Sequence, residues 1–257
     1  MSKKRMPVIF MGHGSPMNAI EDNKFSLAWQ KIASTLPEPK AILCVSAHWE
    51  TENTRVTAME HPKTIHDFYG FPRELNEITY PAPGSPALAN WIVNLLGADK
   101  VAPDQKWGLD HGAWSVLARM YPQANIPVLQ LSLAQTRDGQ THYDLAKQLL
   151  DLRDEGVLIL GSGNIVHNLG MVQFADIAYD WALDFDKQVK EYIEKREHEP
   201  LIHFQQLGRT AALAINSAEH YLPLLYVLGL QQPDETVKFY CEKVWGGSLS
   251  MRCVQIG

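Results

Sequence analysis

The chain has 257 residues, 46% of them hydrophobic and 20% charged, which bounds it to one large α/β domain or two small ones with a sizeable core. Its 23 basic and 29 acidic residues leave a net charge of −6, which argues against a nucleic-acid surface. No run of about 18 apolar residues occurs, so no membrane-spanning helix is expected, and the apolar patch before Gly12 is too short for a signal-peptide core.

Residues 7–11 read as a short buried strand ending at Gly12-His13-Gly14. Residues 21–34 follow as a helix with Phe25, Leu27, Ala28, Trp29, Ile32 and Ala33 at its apolar positions, and Pro37 and Pro39 end it. Residues 41–47 form a near-continuous apolar run, as in a strand covered on both faces. Period-two alternation puts Ile42, Cys44, Ser46 and His48 on one side of it. Residues 54–59 give a further strand. The stretch 60–86 is long, proline-rich and aromatic, a pattern more typical of a functional loop than of a connector.

Ser85 and Pro86 supply the N-cap and first residue of a helix through Leu96, with Gly97 as its stop. A helix is expected over 112–121 and a strand over 127–133. Residues 141–155 read as an amphipathic helix with a Thr141-x-x-Asp144 start and Gly156 after its end. Then come a strand at 157–160, a charged helix at 179–197, and an apolar helix at 217–228 in which Pro223 marks a kink or the first turn. Residues 236–241 and 248–256 alternate like closing, antiparallel strands. No repeat or linker divides the chain. The strand–helix alternation favours a single three-layer α/β domain over residues 1–257, with a central mixed, mostly parallel sheet flanked by helices. Cys44, Cys241 and Cys253 lack CxxC spacing and read as reduced core residues of a cytoplasmic protein.

Three apolar runs end in the same way: VIFMGHGS delivers His13, AILCVSAHW delivers His48, and LGSGNIVHN delivers His167. Ligands of open α/β sheets bind beyond the carboxyl ends of the strands, so the three point to one site. Any one of them alone would be a capped turn; three at equivalent places favour a metal centre. Neutral imidazoles suit iron, zinc, copper or nickel rather than calcium or magnesium. His220 is a fourth candidate, in the first turn of the 217–228 helix behind Ser217 as N-cap, where the helix dipole disfavours imidazolium. Glu219 competes with it as the carboxylate of a two-histidine, one-carboxylate set, and spacing leaves that choice open. His111 lies between Asp110 and Gly112, beside a carboxylate able to orient it. His66 sits in the aromatic loop as a candidate for the substrate mouth. His61, His142, His198 and His203 carry no assigned role. GxSxG, P-loop, GxGxxG and HExxH patterns are all missing.

The motifs MGHGSPMNAIEDN, SAHWE, TIHDFYGFP, YPAPGSPALA, WGLDHGAW, GSGNIVHNL, EHYLPLLYVLG and GSLSMRCVQIG resemble those of the class III, LigB-type extradiol ring-cleavage dioxygenases, in their DOPA 4,5-dioxygenase branch. The resemblance runs from residue 7 to residue 257 and is weakest over 174–215. It implies one divalent metal per chain held by His13, His48 and His220, with Glu219 as the alternative third ligand. It matches His167 to a second active-site histidine that takes a catechol proton, with a place as fourth ligand left open, and His111 to a further acid/base. The implied reaction inserts O₂ into a catechol such as DOPA to give a ring-opened muconate semialdehyde. Iron(II) is the metal implied for ring cleavage, and zinc(II) an alternative occupant. Phe68, Tyr69 and Phe71, with His66, are the expected substrate contacts. The implied partners are a small catechol and O₂, with no nucleic acid and no membrane, and oligomeric state stays open. Two other readings remain: a zinc hydrolase on the same frame, using metal-bound water, and a binding protein that kept the fold. The five histidines together disfavour the second of these.

Overall fold

The apolar runs pair side by side in the computed structural model, which describes residues 5–257. In chain order the strands are β1 (Val8–Gly12), β2 (Ala41–Thr51), β3 (Arg55–Thr57), β4 (Ala102–Asp104), β5 (Val128–Ala134), β6 (Val157–Gly163), β7 (Val237–Tyr240), β8 (Val244–Trp245), β9 (Leu249–Ser250) and β10 (Cys253–Ile256). The helices are α1 (Lys24–Thr35), α2 (Arg73–Asn76), α3 (Pro86–Leu96), α4 (His111–Met120), α5 (Gly139–Lys147), α6 (Leu150–Asp154), α7 (Asp180–Lys195), α8 (His198–Ile202), α9 (Arg209–Ala214) and α10 (Leu222–Gly229). The main sheet has the order β4-β3-β5-β2-β6-β1-β10-β7. Its centre, β5-β2-β6-β1, is parallel throughout. The flanks are mixed: β3 runs antiparallel to β5, and β10 antiparallel to both β1 and β7.

Alternation along the central strands fills two separate cores. Ile9, Met11, Ile42, Cys44, Leu158 and Leu160 face α1 and α4, where Trp29 and Trp114 are wholly buried. Val8, Phe10, Leu43, Val45, Leu131 and Ile159 face the opposite layer, built from α3, α5, α7 and α10. Helices on both faces explain why these strands read as continuous apolar runs. Every central strand is parallel, so β1, β2, β5 and β6 end along one edge of the sheet.

Several boundaries move for local reasons. The first helix starts at Lys24, because the Asn23 side chain accepts from the Phe25 and Ser26 N–H groups while Ser26 Oγ accepts the Asn23 N–H. The expected helix over 141–155 divides into α5 and α6. Its cap is Asp138 and not Thr141, whose N–H (2.9 Å) and hydroxyl (2.7 Å) both donate to the Asp138 carboxylate. The helix expected from residue 217 starts only at Leu222, with Pro223 in its first turn. Ser217 caps nothing there and donates to Glu219 instead (2.8 Å). The closing strand over 248–256 divides too: β9 pairs with β8, while β10 joins the main sheet. Ser85, Pro86 and Gly97 bound α3 as expected. Cys44 and Cys253 are buried, Cys241 is half-buried just past β7, and all three are free thiols. No described helix is long and apolar enough to cross a membrane.

One histidine without an assigned role is structural. His142 is fully buried; its Nε2–H donates to the Ala134 carbonyl (3.2 Å), so its Nδ1 accepts from the Tyr226 hydroxyl (3.0 Å). The neutral ring satisfies both nitrogens, and burial pushes its pKa down to about 4. An unfolded chain takes up this proton near pH 6.5 and the folded chain only near pH 4, so the stabilisation is complete above 6.5 and is lost as pH falls through that window. The shift corresponds to about 3 kcal/mol. Urea unfolding followed between pH 7 and pH 4 should therefore show a shallower loss of stability in His142→Gln than in the wild type; equal slopes would remove His142 from the balance.

Candidate active site

The sheet edge where the parallel strands end carries the histidines. His13 follows β1 directly, and its backbone N–H donates to the Gly163 carbonyl (3.0 Å), which ties the ends of β1 and β6 together. Its Nδ1 lies 3.0 Å from the Ser162 hydroxyl, whose proton goes to the Gly112 carbonyl at 2.5 Å. With that proton used, Ser162 can only accept from His13 Nδ1–H, which leaves the His13 Nε2 lone pair free. His48 stands in β2 within the register shift between Val45 and Glu50, an irregularity that re-aims side chains near a strand end. Its Nε2 is 3.2 Å from Nε2 of His13, and its Nδ1 is 3.6 Å from Asp67 Oδ2.

No strand delivers His220; glycines do. A Cβ on Gly163 would stand 2.1 Å from the His220 carbonyl oxygen, and one on Gly161 2.5 Å from that of Pro223. Without those atoms the turn ahead of α10 lies against β6, and the Asn164 N–H donates to the His220 carbonyl (2.8 Å). The Nδ1–H of His220 donates to Glu219 Oε1 (3.0 Å), which also takes the Ser217 proton. Glu219 thus orients the ring from behind. The ligand atoms of His13, His48 and His220 all lie within 4.8 Å of one another.

His167 lies beyond the end of β6, with its N–H donating to the Ala214 carbonyl (2.9 Å). Its ring stacks flat on His220, at 3.4 Å between centroids and 6° between planes. It is thus beside the cluster of three rather than within it, and among the described residues nothing hydrogen-bonds to its ring. His111 is the first residue of α4. The neighbouring carboxylate, Asp110, does not face it: that side chain caps α4 at Ala113 and takes protons from Ser46 (2.7 Å) and Gln130 (2.6 Å). Burial raises the Asp110 pKa, with the Asp67 charge adding to it. The carboxylate that does meet His111 is Asp67, which sequence reasoning missed although it is the one acidic residue in IHDFYGF. Asp67 Oδ1 accepts the His111 backbone N–H (2.9 Å), and Oδ2 lies 3.0 Å from His111 Nδ1, off the ring N–H axis. Burial opposes the Asp67 charge, but the contacts with His111 outweigh it and hold the carboxyl below its usual range.

Burial pushes the pKa of His48 down to about 3 and of His167 to about 4, and those of His13 and His220 well below the ordinary value. At neutral pH all four rings are therefore uncharged and have lone pairs to offer. This set fits a transition-metal ion. Were His48 Nε2–H to donate to His13, the bare Nδ1 of His48 would face the Asp67 carboxylate. A cation between the two Nε2 atoms removes that conflict, and nitrogens at this separation can both lie about 2.1 Å from one ion.

The cluster forms the floor of a cavity of about 480 Å³, the size of a small-ligand site. Phe68, Phe71, Val172, Phe174 and Trp245 give it apolar walls. Phe68 stands edge-on to His111 at 5.5 Å and to Phe71 at 5.3 Å. Tyr69 lines the mouth and is 93% exposed. His66 is not part of the lining. Its Nε2–H donates to the Ile78 carbonyl (2.9 Å), and its ring packs on Phe68 and Trp114.

The family model described as the catalytic LigB subunit of aromatic ring-opening dioxygenase matches residues 7–247. A 4,5-DOPA dioxygenase extradiol of Escherichia coli K12 is 48% identical over 100% of this chain and 97% of its own. One of Beta vulgaris is 41% identical over 94% and 92%. The crystal structure of an uncharacterized protein of Escherichia coli K12 superposes with a TM-score of 0.86 at 44% identity, covering 98% of this chain and 100% of that one.

The glycine contact yields a direct test. Gly163→Ala should push the His220 turn off β6, lower stability by about 1–3 kcal/mol, and cost the protein its metal while the sheet stays folded. Metal content after loading and thermal unfolding measure the two effects. A variant that keeps both at wild-type levels would show that the close approach is not what seats His220.

Proposed function

The chain belongs to the LigB family of aromatic ring-opening dioxygenases, and from that premise we propose metal-dependent extradiol cleavage of catechols at the five-histidine cavity, with DOPA as the first substrate to try. The observation that carries this reading is the convergence of the His13, His48 and His220 ring nitrogens on the floor of an aromatic-walled cavity. The reaction breaks the ring C–C bond beside the two hydroxyl-bearing carbons. Both oxygen atoms stay in the muconate semialdehyde, so O₂ is the only oxidant required.

His13, His48 and His220 would hold the metal. An iron(II) ion there supplies the redox chemistry that joins O₂ to the catechol, which zinc, without an accessible redox change, does not. Ser162 and Glu219 fix the Nδ1 protons of His13 and His220, so both rings present Nε2 without rearrangement. His167 is neutral and its ring has no hydrogen-bond partner among the described residues, and so it is placed to take a hydroxyl proton from the catechol. His111, held at its backbone by Asp67, is the donor that returns a proton to the opening ring. Phe68 and Phe71 flank the aromatic ring and keep water from it, and Tyr69 borders the entrance. We read residues 1–257 as one domain because β1 and β10, from opposite ends of the chain, pair in one sheet. The three free thiols fit a cytoplasmic setting.

Apo-protein reconstituted without oxygen, with iron(II) or zinc(II), then given DOPA and O₂, should take up oxygen and turn yellow only with iron. No uptake across a panel of catechols would sink the reading. His167→Ala should keep its iron and lose about 10²–10⁴ in turnover, whereas His220→Ala should lose the metal itself. Loss of iron from His167→Ala would make His167 a ligand first.

A further inference from the structure

Asp67 is the one acidic side chain that lines the cavity, and no lysine or arginine lines it. Its Oδ2 lies 3.0 Å from Nδ1 of His111 and 3.6 Å from Nδ1 of His48. Among the described residues these two histidines are its only ion-pair partners. Its Oδ1 accepts the His111 backbone N–H (2.9 Å), which tethers the carboxylate to the start of α4. The contacts with His111 keep the group ionised although it is mostly buried.

Ser162 and Glu219 fix the rings of His13 and His220, but His111 has no such partner in place. Its Nδ1 is buried and makes no aligned hydrogen bond among the described residues. Asp110 is already committed to Ser46, Gln130 and the cap of α4. The acceptor in reach of that nitrogen is Asp67 Oδ2, and turning the ring to aim Nδ1–H along the 3.0 Å line completes the bond. A proton held on Nδ1 leaves Nε2 to face the cavity, which His111 lines. The carboxylate also balances the charge on the ring whenever Nε2 is protonated too.

Resting on the ring-cleavage reading, we infer that Asp67 is a positioning residue of the reaction: it acts through His111, holding a proton on Nδ1 so that Nε2 delivers the other to the opening ring. In that step the Nε2–H bond breaks and an O–H bond forms on the substrate. The imidazolium becomes a neutral imidazole whose Nδ1–H stays on Asp67.

In Asp67→Asn the amide oxygen is needed by the His111 N–H, so the NH₂ turns toward Nδ1 and drives the ring proton to Nε2. With iron-loaded enzyme, kcat per bound iron should fall about 10–100-fold while KM for the catechol changes little. Because Asp67 acts through His111, the two losses should not add: Asp67→Asn in a His111→Ala background should cost no further activity. Formate should restore part of the turnover of Asp67→Ala and none to the variant that also lacks His111. Nitrogen-15 NMR of zinc-loaded protein, with the His111 signal identified by its loss in His111→Ala, should show Nδ1 protonated in the wild type and bare in Asp67→Asn. Additive losses in the double variant, or a fall in activity explained wholly by lost iron, would overturn the inference, as would a bare Nδ1 in the wild type. If the wild type cleaves no catechol, the ring-cleavage reading falls, and the NMR still decides whether Asp67 holds the His111 proton.

Discussion

A methyl group at residue 163 would stand 2.1 Å from the carbonyl oxygen of His220, so the turn ahead of α10 reaches β6 only because that group is missing. The rest of the site depends on this contact. Parallel strands bring His13 and His48 to one edge, but two imidazoles do not make a metal centre. The third arrives from a segment that no strand carries, drawn in by the Asn164 N–H on its carbonyl. The stack of His167 on His220 follows from the same approach, because both rings are placed by chain that crosses the end of β6.

Gathering so many imidazoles in one buried place has an electrostatic consequence. Burial disfavours a charge on each ring, and any proton held on one ring further repels a proton on the next, so the cluster stays neutral where an isolated histidine would titrate. Neutral rings still need their N–H groups satisfied and their lone pairs aimed. Ser162 does this for His13 because its own proton is held by Gly112, and Glu219 does it for His220. Asp67 lies against both His48 and His111, linking the aromatic loop to the floor of the cavity. These partners settle which nitrogen of each ring faces the cavity, and that orientation must exist before a metal can select the site.

The layers, the parallel centre and the strand-end histidines were legible because they rest on local pattern. Hydrophobic alternation marks β1, β2 and β6, and glycine beside histidine marks where those strands stop. The capping of α3 was legible for the same reason. What escaped is what depends on distance in space. Asp110 adjoins His111 in sequence and was the natural partner for it, yet its carboxylate turns inward to cap α4, and Asp67, 44 residues away, takes the place. Pro223 delays the start of α10, so His220 sits in the turn before the helix rather than in its first turn. His66 looked like a mouth residue by its neighbours and instead braces Phe68 from behind. Nothing in the local sequence separates these cases from their alternatives.

The aromatic loop and the strand ends divide the work. The sheet edge supplies positions that hardly move, since β1, β2 and β6 are bonded on both sides, and metal geometry tolerates little displacement. The loop around Phe68 and Tyr69 and the segment around Phe174 are tied down by fewer backbone bonds, and Tyr69 and Phe174 stand exposed at the mouth of the cavity. A change in substrate arm can therefore be met by side chains at the mouth without disturbing His13, His48 and His220 below. Asp67 is the exception, because it belongs to the loop yet touches His48 and His111. Through it, a shift of the loop reaches the histidine cluster directly, so the loop cannot be remodelled as freely as the opposite wall at Phe174.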